Sequence, residues 1–333
     1  MGSEMCIRDR RGAIELLSGD EVSTHEKPEI LRPRRRRPSL QEVYRRVAPD
    51  NRASMEVRAL TWNLFHGRDF PPEPGLRTWR SRLLRTTERG DDHAQVNRDM
   101  FEGFAGILSA ASWDVALLQE CPPRWAERLA DACEADAHLV PTARNIPGLG
   151  AVQGALAAFN PDLIGSWEGG CNLTLVRSRG FDASPIADRS DYEIAQHPEL
   201  RRMALTRLRS GICVANLHGS KDHRQGEDEI LAAAEFAVAG AGEQPLLFGG
   251  DLNLRPSVSG ALFERLESEW GLRGPTPGDA IDHLLTRGLE IVDAPAQWPD
   301  RRREVPDPTA SSPGSALPVR LSDHAPVAGR FSL

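Results

Sequence analysis

Four apolar runs in this sequence each end in a residue that can bind or move charge. Leu60-Thr61-Trp62 leads into Asn63, Val115 to Gln119 into Glu120, Val214 to Leu217 into His218, and Leu246 to Gly250 into Asp251. Packing alone gives no reason for an amide, two carboxylates and an imidazole at such places, because an unpartnered buried polar group costs about 2 kcal/mol or more. If the strands are neighbours pointing the same way, these side chains converge at one rim of a sheet, on loops held by a rigid scaffold. Oxygen donors of this kind select a hard cation, magnesium or manganese, and the absence of clustered cysteines disfavours zinc.

The elements that must position these residues begin at about Met55. From there, short β-branched or apolar runs alternate with helical periods, the pattern of an α/β or layered α+β domain. Strands are expected at Val57 to Trp62, Asp114 to Gln119, Asn172 to Val176, Ile212 to Leu217, Pro245 to Phe248, Ile281 to Leu285 and Ala325 to Phe331. Met100, Phe104, Ile107 and Leu108 fall on one helical face, as do Ile230, Ala234 and Ala237 in a helix near Glu227 to Ala239. Proline and glycine mark loops at Gly271 to Asp279 and Val305 to Pro318. No internal repeat is present.

Composition sets the outer bounds. The 333 residues, 40% hydrophobic and 27% charged, suffice for a large core in a soluble protein. With 41 basic against 48 acidic residues, the net charge of -7 argues against a protein that coats nucleic acid by charge alone. Lysine occurs only as Lys27 and Lys221, so arginine, the better bidentate phosphate donor, supplies nearly all positive charge. The five cysteines are scattered and form no C-x-x-C pair, so reduced thiols are expected. No membrane-length apolar run and no secretory signal are seen, which leaves the cytoplasm as the default compartment and no stable membrane anchor. Residues 1–55 read as a disordered leader carrying Arg34 to Arg37; that run can contact nucleic acid or an acidic membrane, or simply be a solvated tail. The domain boundary follows, with one folded domain over residues 56–333.

The ordered series Thr61-Trp62-Asn63, Leu118-Gln119-Glu120, Asn216-Leu217-His218, Gly250-Asp251-Leu252-Asn253, Ile281-Asp282-His283 and Ser322-Asp323-His324 resembles the motifs of the endonuclease/exonuclease/phosphatase superfamily. Each tripeptide alone is a weak signal; together, in this order and at strand ends, they are strong. The resemblance implies an α+β fold, a four-layer α/β/β/α sandwich of two packed mixed β-sheets flanked by helices. It also implies a divalent-metal-dependent phosphoesterase that hydrolyses a phosphodiester by in-line attack of water.

Roles follow from the same resemblance. Glu120 is the expected principal metal ligand, with Asn63 beside the metal helping to hold it and Asp323 nearby. Asp251 and Asn253 are placed to contact water, phosphate oxygen or leaving group. His324 is the candidate general base, since an unperturbed imidazole accepts a proton near neutral pH, and Asp282 is its orienting partner. His283 is assigned to packing or rim. His218, where exonuclease III-type repair nucleases usually carry tyrosine, resembles deoxyribonuclease I and the sphingomyelinases, and can serve a phosphate oxygen or the leaving group. Asn172 and His66 are candidate phosphate contacts, and the Arg-rich stretch 68–97 is a candidate cover for the site. Each has an ordinary reading as a turn, cap or packing residue. The leading substrate is a phosphodiester in DNA or RNA. Alternatives are a phospholipid, as for a sphingomyelinase, a small phosphate ester, and a non-catalytic phosphate-binding module on the same fold. No protein partner is inferable.

Overall fold

The computed structural model describes residues 55–142, 150–178, 184–197 and 199–333. The expected leader, up to residue 54, lies outside them. The first half of the domain contains β1 (Glu56–Asn63), α1 (Trp79–Leu84), β2 (Glu88–Arg89), β3 (Ala94–Gln95), α2 (Phe101–Ala110), β4 (Val115–Cys121), α3 (Ala126–Cys133), β5 (Ala135–Pro141), α4 (Gly150–Phe159), α5 (Pro161–Ile164) and β6 (Cys171–Arg177). The second half contains β7 (Ile186–Ala195), β8 (Arg201–Leu208), β9 (Cys213–His218), α6 (His223–Ala241), β10 (Leu246–Asp251), α7 (Gly260–Trp270), β11 (Asp282–Arg287), β12 (Glu290–Gln297), β13 (Glu304–Pro306), β14 (Pro318–Arg320) and β15 (Val327–Ser332).

Two mixed sheets dominate. One has the order β12-β15-β1-β4-β6-β5, the other β11-β10-β9-β8-β7, while β2-β3 and β13-β14 are small ribbons. Strand alternation divides the apolar residues between faces. Leu60, Trp62, Ala116 and Leu118 turn outward to meet Phe101, Phe104 and Leu108 of α2 and Leu129 of α3. On the second sheet, Ala215, Leu217, Leu246 and Phe248 meet Ile230, Ala234 and Ala237 of α6 and Leu262 and Leu266 of α7. The opposite faces bring Val57, Ala59, Val115 and Leu117 against Val214, Leu247 and Leu284. The layers are therefore α/β/β/α, and every strand expected from the sequence is present.

The expected single rim is corrected in one respect: the polar-ended strands belong to two sheets. β1 runs parallel to β4, and β9 parallel to β10, so each pair carries its polar ends to the same edge. The two edges then face each other across the sandwich. Toward that edge the inter-sheet layer changes from apolar to polar. Gln119 Nε2 donates to Asn216 Oδ1 at 2.8 Å and to Thr61 Oγ1 at 3.1 Å, and Asn216 Nδ2 donates to Thr174 Oγ1 at 3.3 Å. Such satisfied buried amides fix the register of one sheet on the other.

Residues 68–97 form α1 and the β2-β3 ribbon. They are tied to the far end of the chain, with Phe70 N donating to Arg320 O at 2.7 Å and Arg89 paired to Asp307 at 2.6 Å. The four described cysteines are free and buried. Among the described residues no helix is long and apolar enough to cross a membrane.

Candidate active site

Register places the candidate residues of the second sheet in one row. Asp251 ends β10, opposite His218 on β9 and opposite Asp282 on β11. Cross-strand neighbours point to the same face, so all three look into the gap between the sheets. The close strand packing here needs two glycines: a Cβ on Gly249 would collide with the carbonyl of His283, and one on Gly250, at φ 134°, with that of Leu217.

The first sheet supplies the facing row. Asn63 ends β1 and donates from Nδ2 to Asp251 Oδ2 at 2.8 Å, while its Oδ1 accepts from Phe65 N at 2.9 Å. The amide expected to hold Glu120 is thus bonded to Asp251 instead. Glu120 lies in a bulge of β4 between Leu118 and Cys121, at φ 46°, which swings its side chain out of the pleat. Its carboxylate stands 3.3 Å from His66 Nε2 and 3.8 Å from His218 Nε2, and His218 Nε2 is 3.4 Å from Asp251 Oδ2.

His324 comes from the loop before β15. Nδ1 hydrogen-bonds Asp282 Oδ2 at 2.8 Å, and Nε2 points toward Asp251 Oδ2 at 3.7 Å and Asp323 Oδ1 at 3.9 Å. Asp251, Asp282 and His324 each bring a ligand-type atom within 4.8 Å of the others. This loop is strapped in place. Ser322, at φ 61°, donates to Asn63 O and accepts from His324 N, and Arg303 Nη1 donates to the carbonyls of Ser322 at 2.7 Å and His324 at 3.1 Å.

Burial and charge tune these groups. Burial lowers the His324 pKa, but Asp282 and Asp251 more than reverse this and push it up to about 10. The base role expected for His324 assumed an unperturbed imidazole; with two buried carboxylates around it, the imidazolium dominates at neutral pH. Asp251 is raised by burial against the opposing charge of His324, and Asp282 is raised by burial as well. His218 is held well below its usual range by burial, helped by the positive charges of Arg201 and His324, so it is neutral.

The remaining sequence candidates divide. Asn253, at φ 55°, donates from its backbone to Asp251 Oδ1 at 3.0 Å and from Nδ2 to Gly219 O at 3.0 Å, tying the ends of β10 and β9 together. Asn172 is fully buried and bridges the sheets by donating to Arg202 O at 2.7 Å. His66 lines the cleft beside Glu120. His283 faces away from Asp282, bonded to Leu254 O at 2.8 Å and Thr276 N at 3.1 Å, which agrees with its packing role. Within the stretch 68–97, Arg68 stands close enough to Glu120 and Asp323 for their charges to act on it, while the rest is tied to the far end of the chain.

The cleft encloses about 600 Å³ beside Glu120, His66 and His218, with Arg201, Lys221 and Gln225 on its far wall. A groove of about 690 Å³ beside α2 and Trp298 is larger but carries none of these groups. Chemistry, not size, locates the site. The far wall was missed in the sequence: Glu229 of α6 accepts from Ser220 N at 2.9 Å and from Ser220 Oγ at 2.8 Å, and so holds the loop that follows His218.

The model of the Endonuclease/Exonuclease/phosphatase family matches residues 60–324, which includes every residue of this constellation. The chain belongs to that family. Among solved structures it resembles an endonuclease/exonuclease/phosphatase family protein from Bacteroides thetaiotaomicron, at TM-score 0.52 and 12% identity over 84% of this chain and 98% of that one. It also resembles a mannosyl-6-phosphatase of the same organism, at TM-score 0.53 and 13% identity over 83% and 100% of the two chains. A third is an endonuclease/exonuclease/phosphatase from Beutenbergia cavernae, at TM-score 0.51 and 16% identity over 84% and 72%. At such identities these likenesses establish the family's fold alone. The comparison with curated proteins gives no match.

Proposed function

We propose that this family member is a divalent-metal-dependent phosphoesterase that hydrolyses a phosphodiester by direct attack of water, with DNA or RNA as the leading substrate. The observation that carries this reading is the convergence of Glu120 and Asn63 from one sheet with His218, Asp251, Asp282 and His324 from the other. Magnesium or manganese fits the donor set. Carboxylates prevail, burial keeps the neighbouring Cys121 a protonated thiol, and His218 Nε2 is buried without a hydrogen-bond partner where Glu120 and Asp251 approach it. Glu120, Asp251 and Asp323 are the residues that would hold the cation. Bound there, it would neutralise phosphoryl oxygens and acidify water.

The chain's own groups do the rest. Asn63 fixes the Asp251 carboxylate, and Asp282 fixes the ring of His324 through Nδ1. Nε2 of His324 is then the atom at which a proton is given or taken. It carries one at neutral pH beside the bare carboxylates, where it would donate to a phosphoryl oxygen; with a cation held by Glu120, Asp251 and Asp323, the hold on that proton would weaken and the nitrogen would accept from water. His218, neutral and buried, faces a phosphate oxygen or the leaving group. The basic groups Lys221 and Arg201 beside the cleft of about 600 Å³ favour a second reading, a small phosphate ester held near them. The cytoplasm is the proposed compartment.

Plasmid DNA and a panel of RNA, sphingomyelin, sugar phosphates and inositol phosphates, each with Mg²⁺ or Mn²⁺, separate these readings. Metal-dependent nicking by the wild type and its loss in Asp251→Ala are expected. Turnover of sugar phosphates without nicking would replace nuclease by small-ester phosphatase, and inertness toward the whole panel would leave a non-catalytic phosphate-binding module.

A further inference from the structure

We infer that His66 is a metal ligand, its Nε2 joining the Glu120 carboxylate on one cation, and that this nitrogen donor turns the site toward a transition ion such as Mn²⁺ in preference to Mg²⁺. The inference rests on the reading of Glu120 as a metal ligand.

Geometry is the first support. His66 Nε2 lies 3.3 Å from Glu120 Oε2, and both side chains are only 15% exposed. Two donors at right angles on a cation, each about 2.1 Å from it, stand about 3 Å apart. The pair is thus already near the spacing of adjacent ligands.

The backbone is the second. Phe65 at φ 49°, His66 at φ 53° and Glu120 at φ 46° are all non-glycine residues in the left-handed region. Each such residue costs on the order of 1 kcal/mol, and the cost persists only where surrounding structure imposes it. Here the turn is seated on Trp125, whose ring would collide with a Cβ on Gly67. Two of the three strained residues carry the side chains that face each other.

The partners of the imidazoles are the third. His66 Nδ1 is buried with no hydrogen-bond partner, so Nε2, facing Glu120, is where the ring meets a polar group. Across the gap, His218 Nε2 is also buried and unpartnered, 3.8 Å from the other oxygen of Glu120. Nitrogen therefore stands on both sides of this carboxylate. Imidazole nitrogen suits first-row transition ions, whereas magnesium takes oxygen donors and retains water.

The test uses the full chain stripped of metal. Wild type, His66→Asn and Glu120→Gln are titrated calorimetrically with Mn²⁺ alone and with Mg²⁺ alone, with melting curves to verify folding. Asparagine tolerates the left-handed backbone. His66→Asn is expected to weaken Mn²⁺ binding about tenfold or more while changing Mg²⁺ binding by less than about threefold. Glu120→Gln is expected to lose both ions. Electron spin-echo spectroscopy of the Mn²⁺-loaded wild type adds a readout independent of any variant's folding: imidazole nitrogen coupling is expected, diminished in His66→Asn. Unchanged Mn²⁺ affinity in His66→Asn beside a crippled Glu120→Gln would overturn the His66 assignment alone, as would a wild-type echo without nitrogen coupling. Unchanged affinity in Glu120→Gln would remove the metal reading of Glu120 and the inference with it.

Discussion

Replacing Asp282 with asparagine keeps the shape of the His324 pair and removes its charge. In the wild type, Asp282 Oδ2 sits 2.8 Å from His324 Nδ1, and the imidazole is pushed from 6.5 up to about 10. That rise corresponds to about 5 kcal/mol in favour of the imidazolium, at about 1.4 kcal/mol per pH unit. Burial opposes it, and Asp282 contributes both the largest attractive charge and a direct hydrogen bond, ahead of Asp251 in charge. With Asp282 neutral, Asp251 and Asp323 alone must offset burial. The His324 midpoint should then fall by about 2 pH units, or about 3 kcal/mol. The assay is the imidazole carbon-bound proton resonance of metal-free protein, followed from about pH 6 to about pH 11, a range that brackets both midpoints. Turnover should fall about 10²-fold or more, because the ring loses its orientation as well as its charge. Equal midpoints in wild type and Asp282→Asn, or a wild-type midpoint near 6.5, would refute the claim that this carboxylate governs the histidine.

Asn63→Ala strips Asp251 of the 2.8 Å bond that reaches it from the other sheet and should cost about 2 kcal/mol in a denaturant titration. Arg303→Met frees the carbonyls of Ser322 and His324. A loss of about 3 kcal/mol and a fall in kcat larger than the change in KM are expected from melting curves and steady-state kinetics. Asp69, buried against Val96 N at 2.7 Å, is pushed up to about 7 by burial and by Asp162. Its folded pKa lies above the unfolded 3.8, so the native state holds more protons between those values and stability falls as pH rises through them, by about 4 kcal/mol from this group. Asp69→Asn should remove that slope in unfolding measured at about pH 4 and about pH 8, and an unaltered slope would count against the raised pKa.

Much of the candidate site was legible because its residues end strands, where an apolar run stops at a polar side chain without any local need for one. Asn63, Glu120, His218 and Asp251 all carry that mark. Asp282 and His283 show how alternation separates roles: the first faces the gap between the sheets, the second faces α7, where its ring packs on Phe263 at 5.0 Å. Two packed sheets were implied by the family resemblance, but nothing local to β1 or β9 says which of the two it joins. Nor did β7 stand out, because its exposed edge is built from Asp188, Arg189, Asp191 and Glu193 rather than an apolar run. Arg303 was invisible for another reason. Its function depends on carbonyls as distant in the chain as that of His324, and no spacing rule reports such a contact. Asn172 carried two readings in the sequence, phosphate contact and structural residue, because a polar residue at a strand start looks the same whether it faces solvent or bridges two sheets.

The central claim is that the facing edges of the two sheets form a metal-dependent centre for phosphoester cleavage. Hydrolysis of bis(p-nitrophenyl) phosphate by chelator-stripped protein, before and after Mn²⁺ or Mg²⁺ is restored, tests it most directly, with Asp251→Asn run alongside. The expected result is no turnover without the ion, recovery when it is added to the wild type, and none in Asp251→Asn. Turnover undiminished by chelator, or a wild-type rate from Asp251→Asn, would contradict the claim.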